Sequence, residues 1–98
     1  MVVISEPIQF DWDKGNIDKN RIKHNVGINE VEETFFDTNK VIYNDVFHSQ
    51  KEDRYILIGK TKSGRLLYTV FVFRDQKIRT ISSRDINKKE VSLYEKKA

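Results

Sequence analysis

The chain has no cysteine, one proline, four glycines and only two histidines. Without cysteine, disulfide stapling and thiolate chemistry are excluded, so the fold must stand on its apolar core. So little proline and glycine leaves no linker at which to divide the chain, no repeat is visible, and residues 1–98 are expected to form a single domain. Apart from Thr69, the run Leu66 to Phe73 is apolar, yet it is far short of a membrane span. The stretch from Met1 to Pro7 lacks the basic region and long apolar segment of a signal peptide. A soluble cytoplasmic protein is expected. His24 and His48 lie in different segments without the close His/carboxylate spacing of a metal site. A Gly-x-Ser-x-Gly elbow and a phosphate-cradling glycine loop are also missing.

What is present is a foldable core and an uneven charge. Val, Ile, Leu and Phe make up 30 of 98 residues, enough for a packed interior despite 34% charged residues. The net charge is +3, but residues 1–50 carry 5 Lys/Arg against 9 Asp/Glu while residues 51–98 carry 13 against 6. A basic half is the footprint of a protein that meets a polyanion or an acidic partner.

Periodicity supplies the elements. Ile8 to Trp12 alternates as a short strand. Asp13 can cap a helix reaching about His24, with Asn25 suited to the left-handed position after it. A second helix follows, capped either by Gly27 with Glu30 or by Asn29 with Glu32, and Val31, Phe35 and Phe36 form its apolar side. Strands are expected at Val41 to Tyr43, Arg54 to Thr61, Leu66 to Arg74 and Ile78 to Arg84, with turns at Lys62–Arg65 and Asp75–Lys77. The unbroken apolar Leu66 strand suggests a central position buried on both faces. Asp85 or Asn87 can cap a last helix to about Lys97. The order β-α-α-β-β-β-β-α describes an α+β domain, an antiparallel meander with two N-terminal helices and a C-terminal helix packed on one face.

Simple alternation along Ile78 to Arg84 places Arg79, Ile81 and Ser83 on one face and Ile78, Thr80, Ser82 and Arg84 on the other. These arginines are either ordinary solvated strand residues or cations drawn into a partly desolvated site. Glu90 shares a helical arc with Ile86, Leu93 and Tyr94, so its carboxylate needs a cation, and the strand arginines are the nearest supply. The pair is either structural or a device that holds an arginine rigid to face a phosphate. In the first helix Ile17, Asn20, Arg21 and His24 share a face that borders a groove or solvent, beside the adjacent Lys23.

Several blocks together carry a family resemblance: Phe10-Asp11-Trp12-Asp13, Asn20 with Lys23-His24, Phe35 followed by Asp37, Glu52-Asp53-Arg54 leading to Ile58-Gly59, Gly64-Arg65-Leu66-Leu67, and Ile78 to Arg84 with Glu90 and Tyr94 downstream. In order and spacing, from Phe10 to Tyr94, the chain resembles BrnT-type toxins. Asn25 stands where that family usually has Gly, and Ser83 where it usually has Ala. The resemblance implies a RelE-like fold, cleavage of RNA without a metal or other cofactor, growth inhibition through translation, and neutralisation by a BrnA-type antitoxin that itself binds operator DNA. RNA brings its own 2′-OH nucleophile, so the protein must supply proton transfer and cations. Arg54, Arg65, Arg79 and Arg84 are the candidates for charge stabilisation. His24, then Lys23 or Tyr94, are the candidates for proton transfer, with Glu90 holding an arginine. The competing expectation is a non-catalytic domain that grips an acidic partner protein through the same arginines. Direct DNA readout is disfavoured because no helix carries a base-reading pattern.

Overall fold

A computed structural model describes residues 4, 6–15, 24–46 and 51–95. Four strands, β1 (Val41–Asn44), β2 (Tyr55–Lys60), β3 (Leu66–Arg74) and β4 (Lys77–Asp85), form one antiparallel sheet in sequence order. Helix α1 spans Ile28–Phe35 and helix α2 spans Lys88–Glu95. The described residues thus hold two of the three expected helices. The remaining one, expected between Asp13 and His24, falls mainly on residues 16–23, outside them.

Local chemistry explains the boundaries. Gly27 is the N-cap of α1, and its N–H donates to Glu30 Oε1 at 3.2 Å, which decides between the two expected caps. Asn87 caps α2 reciprocally: Glu90 N–H donates to Asn87 Oδ1 and Asn87 N–H to Glu90 Oε1, at 3.0 and 2.9 Å. Asn25 takes a left-handed φ of 51°. In the β3–β4 hairpin Asp75 and Gln76 both have positive φ, as a two-residue turn matching the strand twist requires.

Three expectations are corrected. Ile8 to Trp12 is not a sheet strand: it makes one parallel bridge, Phe10 to Ile78, through hydrogen bonds from Asp11 N–H to Ile78 O and from Ile78 N–H to Gln9 O. The helices do not share a face. Val31 and Phe35 of α1 pack with Leu57, Leu67 and Phe71, whereas Tyr94 of α2 packs with Val41 and Ile58, and neighbouring strand residues point to opposite sides. This two-sided cover is what the apolar β3 serves, between β2 and β4. Phe36 is not a core member. It sits at the C-cap, about 100° round the helix axis from Phe35 and so off the buried stripe, and is 60% exposed.

Close packing of α1 on the sheet depends on Gly59. A Cβ at this position would stand 2.6 Å from Thr34 O and 2.9 Å from Thr34 Cβ, so the side chain must be hydrogen. An aromatic series extends the same core, with Phe10 edge-on to Phe35 and Phe35 edge-on to Phe71, each at 5.2 Å.

Candidate functional site

The decisive feature is an irregularity in β4. Val70 pairs with Ser82 and Phe71 with Thr80, so Ile81 is an extra residue opposite no partner. This bulge shifts the alternation by one and overturns the simple face assignment for Ile78 to Arg84. Ile78, Thr80 and Ser83 all turn to the α1 side and are buried. Arg79, opposite Val72, and Arg84, opposite Tyr68, therefore share the α2 side.

Arg84 is the better held of the two. Its Nη1 and Nη2 donate to Glu90 Oε1 and Oε2 at 2.9 and 2.8 Å, and its guanidinium lies over the Tyr68 ring at 4.1 Å. The Arg84 hydrogen bond holds the Glu90 carboxyl below its usual range against the opposing effect of burial. Burial, then the negative charge of Glu90, pushes the Tyr68 phenol up. A fork, a ring and a capped helix thus fix one cation in orientation while its side chain remains 36% exposed.

Arg79 ion-pairs with Asp13 and lies 3.6 Å from Asp11, both in the segment that bridges to β4. Arg54 immediately precedes Tyr55, which pairs with Phe71, so it approaches the row containing Val72 and Arg79. Arg54 and Arg79 both act electrostatically on Glu52, whose carboxylate forms a two-point pair with Arg74 at 2.7 and 3.4 Å. Sequence reasoning missed Arg74 and Glu52. The signal available was the position of Arg74 at the end of β3, where strand alternation places it on the side of Val72 and Tyr68.

Arg65 and Tyr94 are brought elsewhere. Arg65 uses Nε and both terminal nitrogens on Asp85, Glu30 and the carbonyls of His24 and Asn25, at 2.6 to 3.2 Å. Hydrogen bonding to Asp85 raises its already high pKa further. It clamps the start of α1 to the end of β4, on the side opposite Arg84. His24 is exposed and close enough to Asp85 to help lower that carboxyl, after the larger effect of Arg65. Tyr94 donates its hydroxyl to Asp37 Oδ2 at 2.6 Å, and burial followed by this bond pushes the phenol up to about 12. Burial pushes the Asp37 carboxyl up, but bonds from Tyr94 and from the N–H groups of Asn39 and Lys60 outweigh it and hold it low. Lys23, Asn20 and Arg21 lie outside the described residues.

Two open clefts, of about 700 and 620 Å³, are lined by residues around Phe36 and Lys60 and around Pro7 and Phe73, and neither includes these arginines. Among the described residues no group of three or more His, Asp or Glu is placed to hold a metal ion, and no helix is long and apolar enough to cross a membrane.

The fold and this face define a small α+β domain whose antiparallel sheet carries arginines paired with carboxylates of the same chain. Residues 12–90 match the family described as the ribonuclease toxin, BrnT, of type II toxin-antitoxin systems. The chain belongs to that family, and membership implies an antitoxin partner. A search of curated proteins finds no match.

Proposed function

We propose that the chain is a metal-independent endoribonuclease of the cytoplasm that inhibits growth by cleaving RNA and is neutralised by a BrnA-type antitoxin, with operator DNA bound only through that antitoxin. The observation that carries the reading is the bulge at Ile81, which puts Arg79 and Arg84 on one sheet face with Arg84 held by Glu90 and Tyr68.

In this reading the 2′-OH of the substrate attacks the adjacent phosphorus, its proton passes to a base, and the 5′ oxygen leaves with a proton from an acid. Charge on the in-line transition state is stabilised by preorganised cations. Arg84 is the cation at the scissile phosphate, Glu90 and Tyr68 position it, and Arg54 and Arg79 continue the positive track. In this reading His24 is the proton-transfer candidate that the family resemblance offers; it neighbours Asp85, whose side chain faces the side of the sheet opposite Arg84. Lys23 is its alternate. Tyr94 and Arg65 serve the frame: the hydroxyl of Tyr94 is given to Asp37, and Arg65 spends its donors inside the chain.

The test is to express the chain alone and together with the product of the neighbouring gene, following growth, and to assay RNA cleavage in vitro with EDTA present. Growth arrest relieved by the second product, with EDTA-resistant cleavage, is expected. Cleavage abolished by EDTA and restored by a divalent metal would sink the metal-independent mechanism. A non-catalytic domain that binds an acidic partner is the second reading, favoured by one observation: carboxylates already sit on Arg74 and Arg79 as a partner's would. Arrest without RNA cleavage would support it.

A further inference from the structure

The end of the sheet remote from Arg84 gathers three arginines from three chain segments: Arg74 pairs with Glu52, Arg79 pairs with Asp13 and Asp11, and Arg54 stands near enough for its charge to reach Glu52. Arg74 closes β3 and grips Glu52 with two nitrogens. Arg54 and Arg79 approach from either side of Val72, and the charges of both reach Glu52. Val72, opposite Arg79 in the sheet, is fully buried. Glu52 is itself exposed, 38% by side chain, and belongs to the short stretch leading into β2 rather than to the sheet. A carboxylate on a peripheral segment is thus seated among fork-shaped donors that suit phosphate oxygens equally well.

We propose that Arg54, Arg74 and Arg79 form a second phosphate-binding subsite for single-stranded RNA, and that Glu52 is its resident counter-anion, displaced when RNA binds. The proposal rests on the ribonuclease reading for its ligand. Arg79 and Arg84 are five positions apart, a span of roughly 15 Å along a strand, so one phosphate cannot engage both ends. A chain of several nucleotides lying along β4 does so, with Arg84 at one phosphate and the cluster at another. Glu52 occupies Arg74 in the free protein, as Asp13 and Asp11 occupy Arg79, and raises the threshold for weak anions, since any ligand must replace an existing charge-assisted contact.

The arrangement makes an unusual prediction: removing a residue that touches the site should strengthen binding. The full chain is titrated with a single-stranded 2′-O-methyl RNA oligonucleotide, which lacks the 2′-OH nucleophile and stays intact, and binding is followed by fluorescence anisotropy over a range of salt. Glu52→Gln and Glu52→Ala are each expected to lower Kd about threefold or more. Arg74→Ala should raise it about tenfold and reduce the slope of log K against log salt by about 0.7, the value of one phosphate contact on a single strand. Thermal melts show that each variant is folded. Unchanged or weaker binding by folded Glu52→Gln and Glu52→Ala overturns the proposal. A gain seen equally with an acidic peptide in place of RNA overturns the assignment of the ligand. Cleavage of ordinary RNA by the parent is measured alongside: its absence refutes the ribonuclease reading, while the Kd series still decides the subsite.

Discussion

Arg84 and Glu90, six residues apart, close a two-point ion pair across the junction of β4 and α2, with Tyr68 stacked beneath the guanidinium. Glu90 also accepts the N–H of Asn87, so one carboxylate both starts the helix and aims the arginine. Glu90→Ala should therefore lower stability by about 1–2 kcal/mol, the scale of a charge-assisted hydrogen bond, and reduce RNA cleavage together. Urea unfolding and a cleavage assay on the same preparation check this. A fully stable but inactive variant would point to direct chemistry by Glu90 instead.

Arg84→Ala and Arg79→Ala should each abolish growth inhibition on induction while the protein stays folded, because both side chains remain partly exposed and neither is part of the apolar core. Growth curves with circular dichroism of the purified variants are the measurement. Undiminished toxicity in both would remove the cationic face from the mechanism.

Arg65→Ala should behave in the opposite sense. Its donors tie together Glu30, Asp85 and the carbonyls of residues 24 and 25, so the loss is expected at about 2 kcal/mol or more of stability. Cleavage per folded molecule, measured well below the melting temperature, should change little. A selective loss of activity with an unchanged melt would return Arg65 to the reacting site.

Gly59→Ala should destabilise by about 1–3 kcal/mol, the cost of overpacking, because the new methyl meets the Thr34 carbonyl, a backbone atom that can move only with α1. A melting curve suffices, and a variant as stable as the parent would show that α1 slides to accommodate it.

Stability should fall at both ends of the pH scale. Asp85 and Glu90 have carboxyls held below their ordinary values of 3.8 and 4.5, chiefly by Arg65 and by Arg84. Their contribution is complete above those ordinary values and is lost as pH falls from about 5 through the depressed folded values. Tyr94 is raised from 10.0 to about 12, so its contribution is complete below pH 10 and is lost as pH rises from there towards 12. Tyr94→Phe should shrink the alkaline part of the profile to the share of Tyr68 and take from the acid limb only the share of Asp37 that the Tyr94 hydroxyl holds, as read by unfolding free energy against pH.

Composition and periodicity alone determined a cysteine-free α+β domain with four meandering strands. The strand-forming runs are long, and the turns carry Gly64 or a two-residue Asp75-Gln76 connection. The need of Glu90 for a strand arginine was also legible, since a carboxylate on the apolar arc of a short helix has few partners within reach. Only the tertiary structure decided which arginine it takes and which face that arginine occupies. A one-residue bulge is invisible in a run such as Ile78 to Arg84, because either phase of alternation buries a plausible set of small or apolar side chains. The fate of Arg65, Tyr94 and Asp37 was equally closed to sequence, since their partners lie 20 to 57 residues away. Charge in the sequence showed that the second half is basic. Packing determined which of those cations are consumed in holding the chain together and which are left facing outward.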